Sequence, residues 1–284
     1  MTVLQIDGTD GTGGESVGLF FEDLGSGPPI VLVHCWPLSG AVWNDVRSSL
    51  VDAGHRVVTS DRRGFGRSTH PSGGYDYDTL VADLVALLDH LDLVEVTLVG
   101  YSMGAGEVAH LLGRGASERI SRAVLVSGAP PCLYSLPDNP EGPVDDEMIE
   151  QRRHAVLADP AEFVDGFATA FLSSAEGRLL VDEATREWVR GIASTASLKA
   201  ITGCAAAFSR TDFRPDLARM DVPTLVVHGG SDVMLPFEIT SRRTHELVAH
   251  SELRIIDGAP HGIAVTHPTE LAGAILDFIS RSSD

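Results

Sequence analysis

A chain of 284 residues, 43% hydrophobic and 21% charged, is long enough to bury a core and has the composition of a globular protein. Its formal charge of −19, from 40 acidic against 21 basic residues, repels nucleic acid and anionic membrane surfaces and excludes both as partners. No apolar run approaches the roughly 18 residues of a membrane span. The N-terminus shows no signal-peptide pattern, and three scattered cysteines, Cys35, Cys132 and Cys204, match no zinc spacing, so the expectation is a cytoplasmic protein without a metal.

In chain order, SVGLFFED (16–23) reads as a first edge strand, with VLQI a candidate strand before it. IVLVH (30–34) is a continuous apolar run of the buried-strand kind. A helical pattern at 43–54 ends in glycine, and HRVVTSD (55–61) is the next strand. Leucine and valine recur at helical spacing over 78–92, which Asp78 opens as an N-cap. The strand VEVTLVG, the helix MGAGEVAHLLGRG and the strand RAVLVSG (122–128) follow. Near Pro130 this alternation stops, and strands return only with PTLVVHGG (223–230), a helix over 237–249, the strand ELRIID and a last helix from His267. The alternation predicts an α/β fold with a mostly parallel sheet flanked by helices. The core would be 1–129 and 216–284, with 130–215 an inserted helical cap. No internal repeat is visible.

Between VTLV and its helix stands Gly100-Tyr101-Ser102-Met103-Gly104. A serine flanked by glycines at a strand-to-helix corner is either an ordinary tight turn or a device that exposes one hydroxyl. The helix that follows would aim N–H groups at charge developing beside Ser102. A base for that hydroxyl belongs on a loop at the carboxyl ends of the strands. Of eleven histidines, His261 in DGAPHG has that position, with His267 as fallback. His90, His110, His154, His245 and His250 fall in helical patterns, His55 starts a strand, and His228 ends one. The orienting acid is Asp232, on the loop after PTLVVH, with Asp257 as its rival and an ordinary turn aspartate as the plainer reading.

The order Ser102, Asp232, His261 is that of α/β-hydrolases. Along nearly its whole length the chain resembles that superfamily, and within it the cofactor-free haloperoxidases (perhydrolases) and related aryl esterases. HCWPLSG, DRRGFGRS, GYDYDTL, LVGYSMGAGEVA, TDFRPDL, DVPTLVVHG and GAPHG carry the likeness. The resemblance implies a Ser-His-Asp enzyme with no cofactor, an oxyanion hole from the N–H groups of Trp36 and Met103, and a homo-oligomer, a trimer in some members. It implies an ester or carboxylic acid as substrate, with hydrogen peroxide and halide as co-substrates. One departure is that Cys35 stands where the family usually has glycine, so the loop is expected to shift slightly. Trp36-Pro37 matches a tryptophan-proline or phenylalanine-proline step of the haloperoxidases, and the locked φ of Pro37 would aim the Trp36 carbonyl at a peroxide oxygen.

Phe163, Phe167 and Phe171 recur every four residues in the cap and offer an aromatic face, either plain packing or substrate contact; Trp188 and Ile192 read the same way. Arg62 and Arg63 read as loop residues held by acidic neighbours. A lactonase and a carbon–carbon bond hydrolase would use the same trio. A hydrolase-fold small-molecule receptor would keep it with slow turnover.

Overall fold

The computed structural model describes residues 2–6, 15–115 and 117–281. Much of the N-terminal stretch examined for a signal pattern, 1 and 7–14, lies outside the described residues, as do 116 and 282–284 of the two core segments. The described residues form eight strands: β1 (Thr2–Ile6), β2 (Val17–Leu24), β3 (Pro29–Val33), β4 (Arg56–Ser60), β5 (Val96–Tyr101), β6 (Ile120–Val126), β7 (Thr224–Gly229) and β8 (Ser251–Ile256). Helices α1 (Asn44–Asp52), α2 (Tyr77–His90) and α3 (Met103–Gly113) alternate with β3 to β6. Between β6 and β7 come α4 (Asp146–Ala158), α5 (Pro160–Phe171), α6 (Glu183–Ala193), α7 (Leu198–Arg210) and the short α8 (Arg214–Leu217). The helices α9 (Ser241–Leu247), α10 (Ile263–Thr266) and α11 (Pro268–Arg281) complete the chain.

The sheet runs β1-β2-β4-β3-β5-β6-β7-β8. β1 and β2 are antiparallel to their neighbours, and from β4 onward every pairing is parallel. The sequence pattern explains the placing. VTLVGY in β5 and TLVVHG in β7 are buried at every position, as strands covered on both faces must be, whereas β1 and β8 alternate or stay half exposed at the edges. The edge is therefore VLQI, and SVGLFFED is the second strand, which pairs on both sides.

Helix α3 is buried along its whole length, so it reads as apolar without a polar face. Two boundaries differ from expectation. Asp76, not Asp78, caps α2, its side chain accepting the Thr79 N–H at 2.9 Å. The segment 237–249 is a 3-10 turn and α9 separated at Thr240, whose hydroxyl donates to the Pro236 carbonyl at 2.9 Å. His250 lies beyond α9 in a left-handed turn, φ 65°, rather than in a helix.

Candidate active site

The corner after β5 is strained. Ser102 takes φ 56° and ψ −113°, a conformation that costs a non-glycine residue about 1–3 kcal/mol. Its backbone is held on both sides: its N–H donates to Val126 at 2.8 Å, and its carbonyl accepts from Ala129 at 3.1 Å. The two flanking glycines are needed for space. A Cβ on Gly100 would meet the Gly104 carbonyl at 2.4 Å, and one on Gly104 would meet the Val33 carbonyl at 2.7 Å. The start of α3 therefore rests directly on the end of β3.

Loops at the ends of β7 and β8 bring two more side chains to that corner. His261 Nε2 lies 3.0 Å from Ser102 Oγ, and its Nδ1 lies 2.7 Å from Asp232 Oδ2. An ionised carboxylate only accepts, so Nδ1 carries the proton and Nε2 is free to accept from the serine hydroxyl. Asp232 Oδ1 takes the Met234 and Leu235 N–H groups, both at 3.0 Å. Burial pushes this carboxyl up, but the His261 charge, its hydrogen bond and the Leu235 N–H outweigh burial and hold it below the usual aspartate range. The rivals lie elsewhere: Asp257 is exposed in a turn, and His267 Nδ1 is 2.9 Å from the Thr266 hydroxyl.

His228 is a neighbour that sequence reasoning passed over. It is wholly buried, with Nδ1 2.8 Å from the Ser241 hydroxyl and Nε2 3.8 Å from Asp232 Oδ2. Burial lowers its pKa to about 4, so it stays neutral beside the carboxylate. The signals available were its place at the end of a strand and its i, i+4 spacing to Asp232.

His261 itself is clamped. Phe171 stands edge-on to its ring at 5.7 Å, and the Tyr101 hydroxyl donates to its carbonyl. The next N–H, of Gly262, donates to the Phe171 carbonyl at 2.7 Å.

On the other side of Ser102, Met103 is the first residue of α3, so its N–H has no acceptor within the helix. The loop 34–38 after β3 carries Trp36. A buried network holds this loop: Arg62 donates to Glu107 at 2.7 Å and to the His34 carbonyl at 2.7 Å, while its own N–H donates to His34 Nε2 at 3.0 Å. Arg63 pairs with Asp83 at 2.5 Å. Arg62 thus ties the loop 34–38 to Glu107 on α3, while Arg63 ties its own loop after β4 to Asp83 on α2. Cys35 is fully buried outside the left-handed region, and burial drives its thiol pKa far up, so it remains a protonated packing residue.

Ser102 and His261 open into a cavity of about 450 Å³, within the range of small-molecule sites. Trp36, Phe163, Phe167 and Phe208 form much of its wall, and the Trp36 ring meets the other three edge-on at 5.4–6.0 Å. Phe171 does not belong to that wall. One helical turn on from Phe167, it turns inward, fully buried, to stack on Phe167 and abut His261. Pro37 is buried beside Trp36 but does not line the cavity. Ile192 is packed in the core, and Trp188 is 39% exposed beside Asn44 and Asp45. Among the described residues no group of three or more His, Cys, Asp or Glu side chains is placed to hold a metal ion, and no helix is long and apolar enough to cross a membrane.

Residues 28–268 match the alpha/beta hydrolase fold family. The chain belongs to that family. The hydrolase is 39% identical over 251 residues to the non-heme chloroperoxidase CPO-A1 of Kitasatospora aureofaciens, covering 88% of this chain and 91% of that one. It is 33% identical over 270 residues to the bifunctional esterase/perhydrolase DCH of Acinetobacter calcoaceticus, covering 93% and 97%. Among solved structures it superposes on a bromoperoxidase from Bacillus anthracis with a TM-score of 0.92 at 42% identity, covering 98% and 100%. The hydrolase is therefore an enzyme of the serine hydrolase type, similar to non-heme haloperoxidases and esterases.

Proposed function

We propose that this enzyme acts through an acyl-enzyme on carboxylic esters and also performs cofactor-free perhydrolysis. The observation that carries this reading is the unbroken chain Asp232–His261–Ser102, with links of 2.7 and 3.0 Å, opening into a largely apolar cavity. His261 takes the Ser102 proton as Oγ bonds to the ester carbonyl carbon. The resulting oxyanion is held by the N–H groups of Trp36 and Met103. Collapse expels the alcohol, which receives the proton from His261. Water then attacks the acyl-enzyme and releases the acid. With hydrogen peroxide in place of water, the same step yields a peracid, and the peracid converts bromide and a proton to hypobromous acid and the parent acid. The names of the chloroperoxidase and perhydrolase relatives favour this second outcome. In this reading 130–215 is the cap, Phe163 and Phe167 contact the acyl group, and the chain assembles as a homo-oligomer, the last resting on resemblance alone.

Wild-type enzyme is expected to hydrolyse a p-nitrophenyl ester panel and, given acetate, hydrogen peroxide and bromide, to brominate a dye; Ser102→Ala should lose both. A hydrolase-fold receptor would instead bind esters with negligible turnover. In Pro37→Leu, dye bromination should fall more than esterase activity; equal losses would refute the role given to the Trp36 carbonyl.

A further inference from the structure

The wall of the Ser102 cavity is apolar and aromatic apart from a few groups, and one of these is a cation. Arg152, on α4, lines it and is only partly exposed. In a chain of net charge −19, the expected neighbour of such an arginine is a carboxylate. Arg153, next in sequence, has one: its Nε donates to Glu150 at 2.8 Å. Arg152 has none within ion-pair distance among the described residues. Its guanidinium donates to the Ser209 hydroxyl at 3.3 Å and lies 5.9 Å above the Phe208 ring. Glu162 also borders the cavity, but it is exposed and forms no ion pair with Arg152. Burial draws the Arg152 pKa below the ordinary guanidinium value, as expected for a cation short of a counter-charge.

Phe208 links this cation to the reaction centre. Its ring meets the Trp36 indole at 5.4 Å and also carries Arg152 at 5.9 Å. The guanidinium and the residue assigned to the oxyanion hole therefore share one aromatic neighbour. An apolar pocket penalises a lone buried anion and a lone buried cation alike, and each relieves the other when they meet. A guanidinium also matches a carboxylate with two parallel N–H donors.

We propose that Arg152 selects acyl substrates bearing a second, anionic carboxylate: half-esters of dicarboxylic acids for hydrolysis, or the diacids themselves for perhydrolysis. The ester carbonyl would face Ser102 while the distal carboxylate pairs with Arg152. This inference rests on the serine hydrolase reading above and names the substrate class of the same cavity.

The test compares kcat/KM for monomethyl glutarate, which carries one carboxylate, with that for dimethyl glutarate, which carries none. The monomethyl-to-dimethyl ratio should fall at least about 10-fold in Arg152→Gln, and less in Arg152→Lys, where charge survives without the fork. A ratio unchanged in Arg152→Gln overturns the proposal, because loss of packing alone would lower both substrates together. The same comparison is made as binding, by calorimetry in a Ser102→Ala background: affinity for monomethyl glutarate should drop about 10-fold or more on adding Arg152→Gln, and no drop overturns it as well. Hydrolysis persisting in Ser102→Ala would sink the serine mechanism, while the binding comparison still judges Arg152.

Discussion

Asp232 is ionised in a buried setting because three donors converge on it, the imidazole on Oδ2 and two backbone N–H groups on Oδ1. In the proposed mechanism it fixes the proton of His261 on Nδ1. In Asp232→Asn the amide can offer N–H to that nitrogen, so the ring takes the other tautomer and Nε2 no longer accepts from Ser102. Esterase kcat should fall roughly 10⁴-fold with the fold intact by circular dichroism; a loss below tenfold would show that another acid orients His261. Ser102, Asp232 and His261 were legible in sequence because each follows a strand and precedes a helix or turn, so chain position alone fixed the end of the sheet to which they belong. Phe171 and Arg152 were not. A four-residue spacing places Phe163, Phe167 and Phe171 near one helix face but drifts around it, and the last ring lands on His261 rather than in the cavity. Nothing in GluGlnArgArgHis, 150–154, separates Arg152 from Arg153; only packing against α7 turns one inward.

At the scale of elements, the reaction centre depends on how closely α3 approaches β3 and on the turn that leads into it. Gly104→Ala would drive a methyl to 2.7 Å from the Val33 carbonyl, so helix and strand must part. The cost should be about 1–3 kcal/mol, a fall in Tm of roughly 2–12 °C for a domain of this size. Esterase kcat should fall as well, because the Met103 N–H moves with the helix start. An unchanged Tm and kcat would mean that the contact is looser than described. The central strands announced themselves as continuous apolar runs because both of their faces are covered. The edges were harder to read: SVGLFFED ends in the charged Glu22 and Asp23, yet its strand pairs with β1 over Val17–Phe21 and with β4 over Phe21–Leu24, and the two charges form ion pairs with Arg47 and Arg56. The break at Thr240 was invisible because the ending of a 3-10 turn there rests on a side-chain hydrogen bond, not on a proline or glycine.

Across the whole molecule, the buried neutral histidines weaken the fold towards acid. Burial lowers the pKa of His228 to about 4, and that of His34 well below its ordinary value, with Arg62 adding to the effect. Their unfolded forms take up a proton near pH 6.5, before the folded forms do, so the stability they confer is complete above that pH and is lost as pH falls towards 4. The His228 share is on the order of 3 kcal/mol. Urea unfolding at pH 7 and pH 4.5 should show that loss, and His228→Gln should reduce the difference; a difference undiminished in His228→Gln would contradict the share assigned to His228. The hydroxyl at Ser102 is the point on which the proposed chemistry turns. Incubation with a p-nitrophenyl phosphonate ester, followed by peptide mass spectrometry, tests it most directly. One phosphonyl group per chain on Ser102, gained in step with the loss of esterase activity, is the expected result; full inactivation with Ser102 unmodified would contradict it.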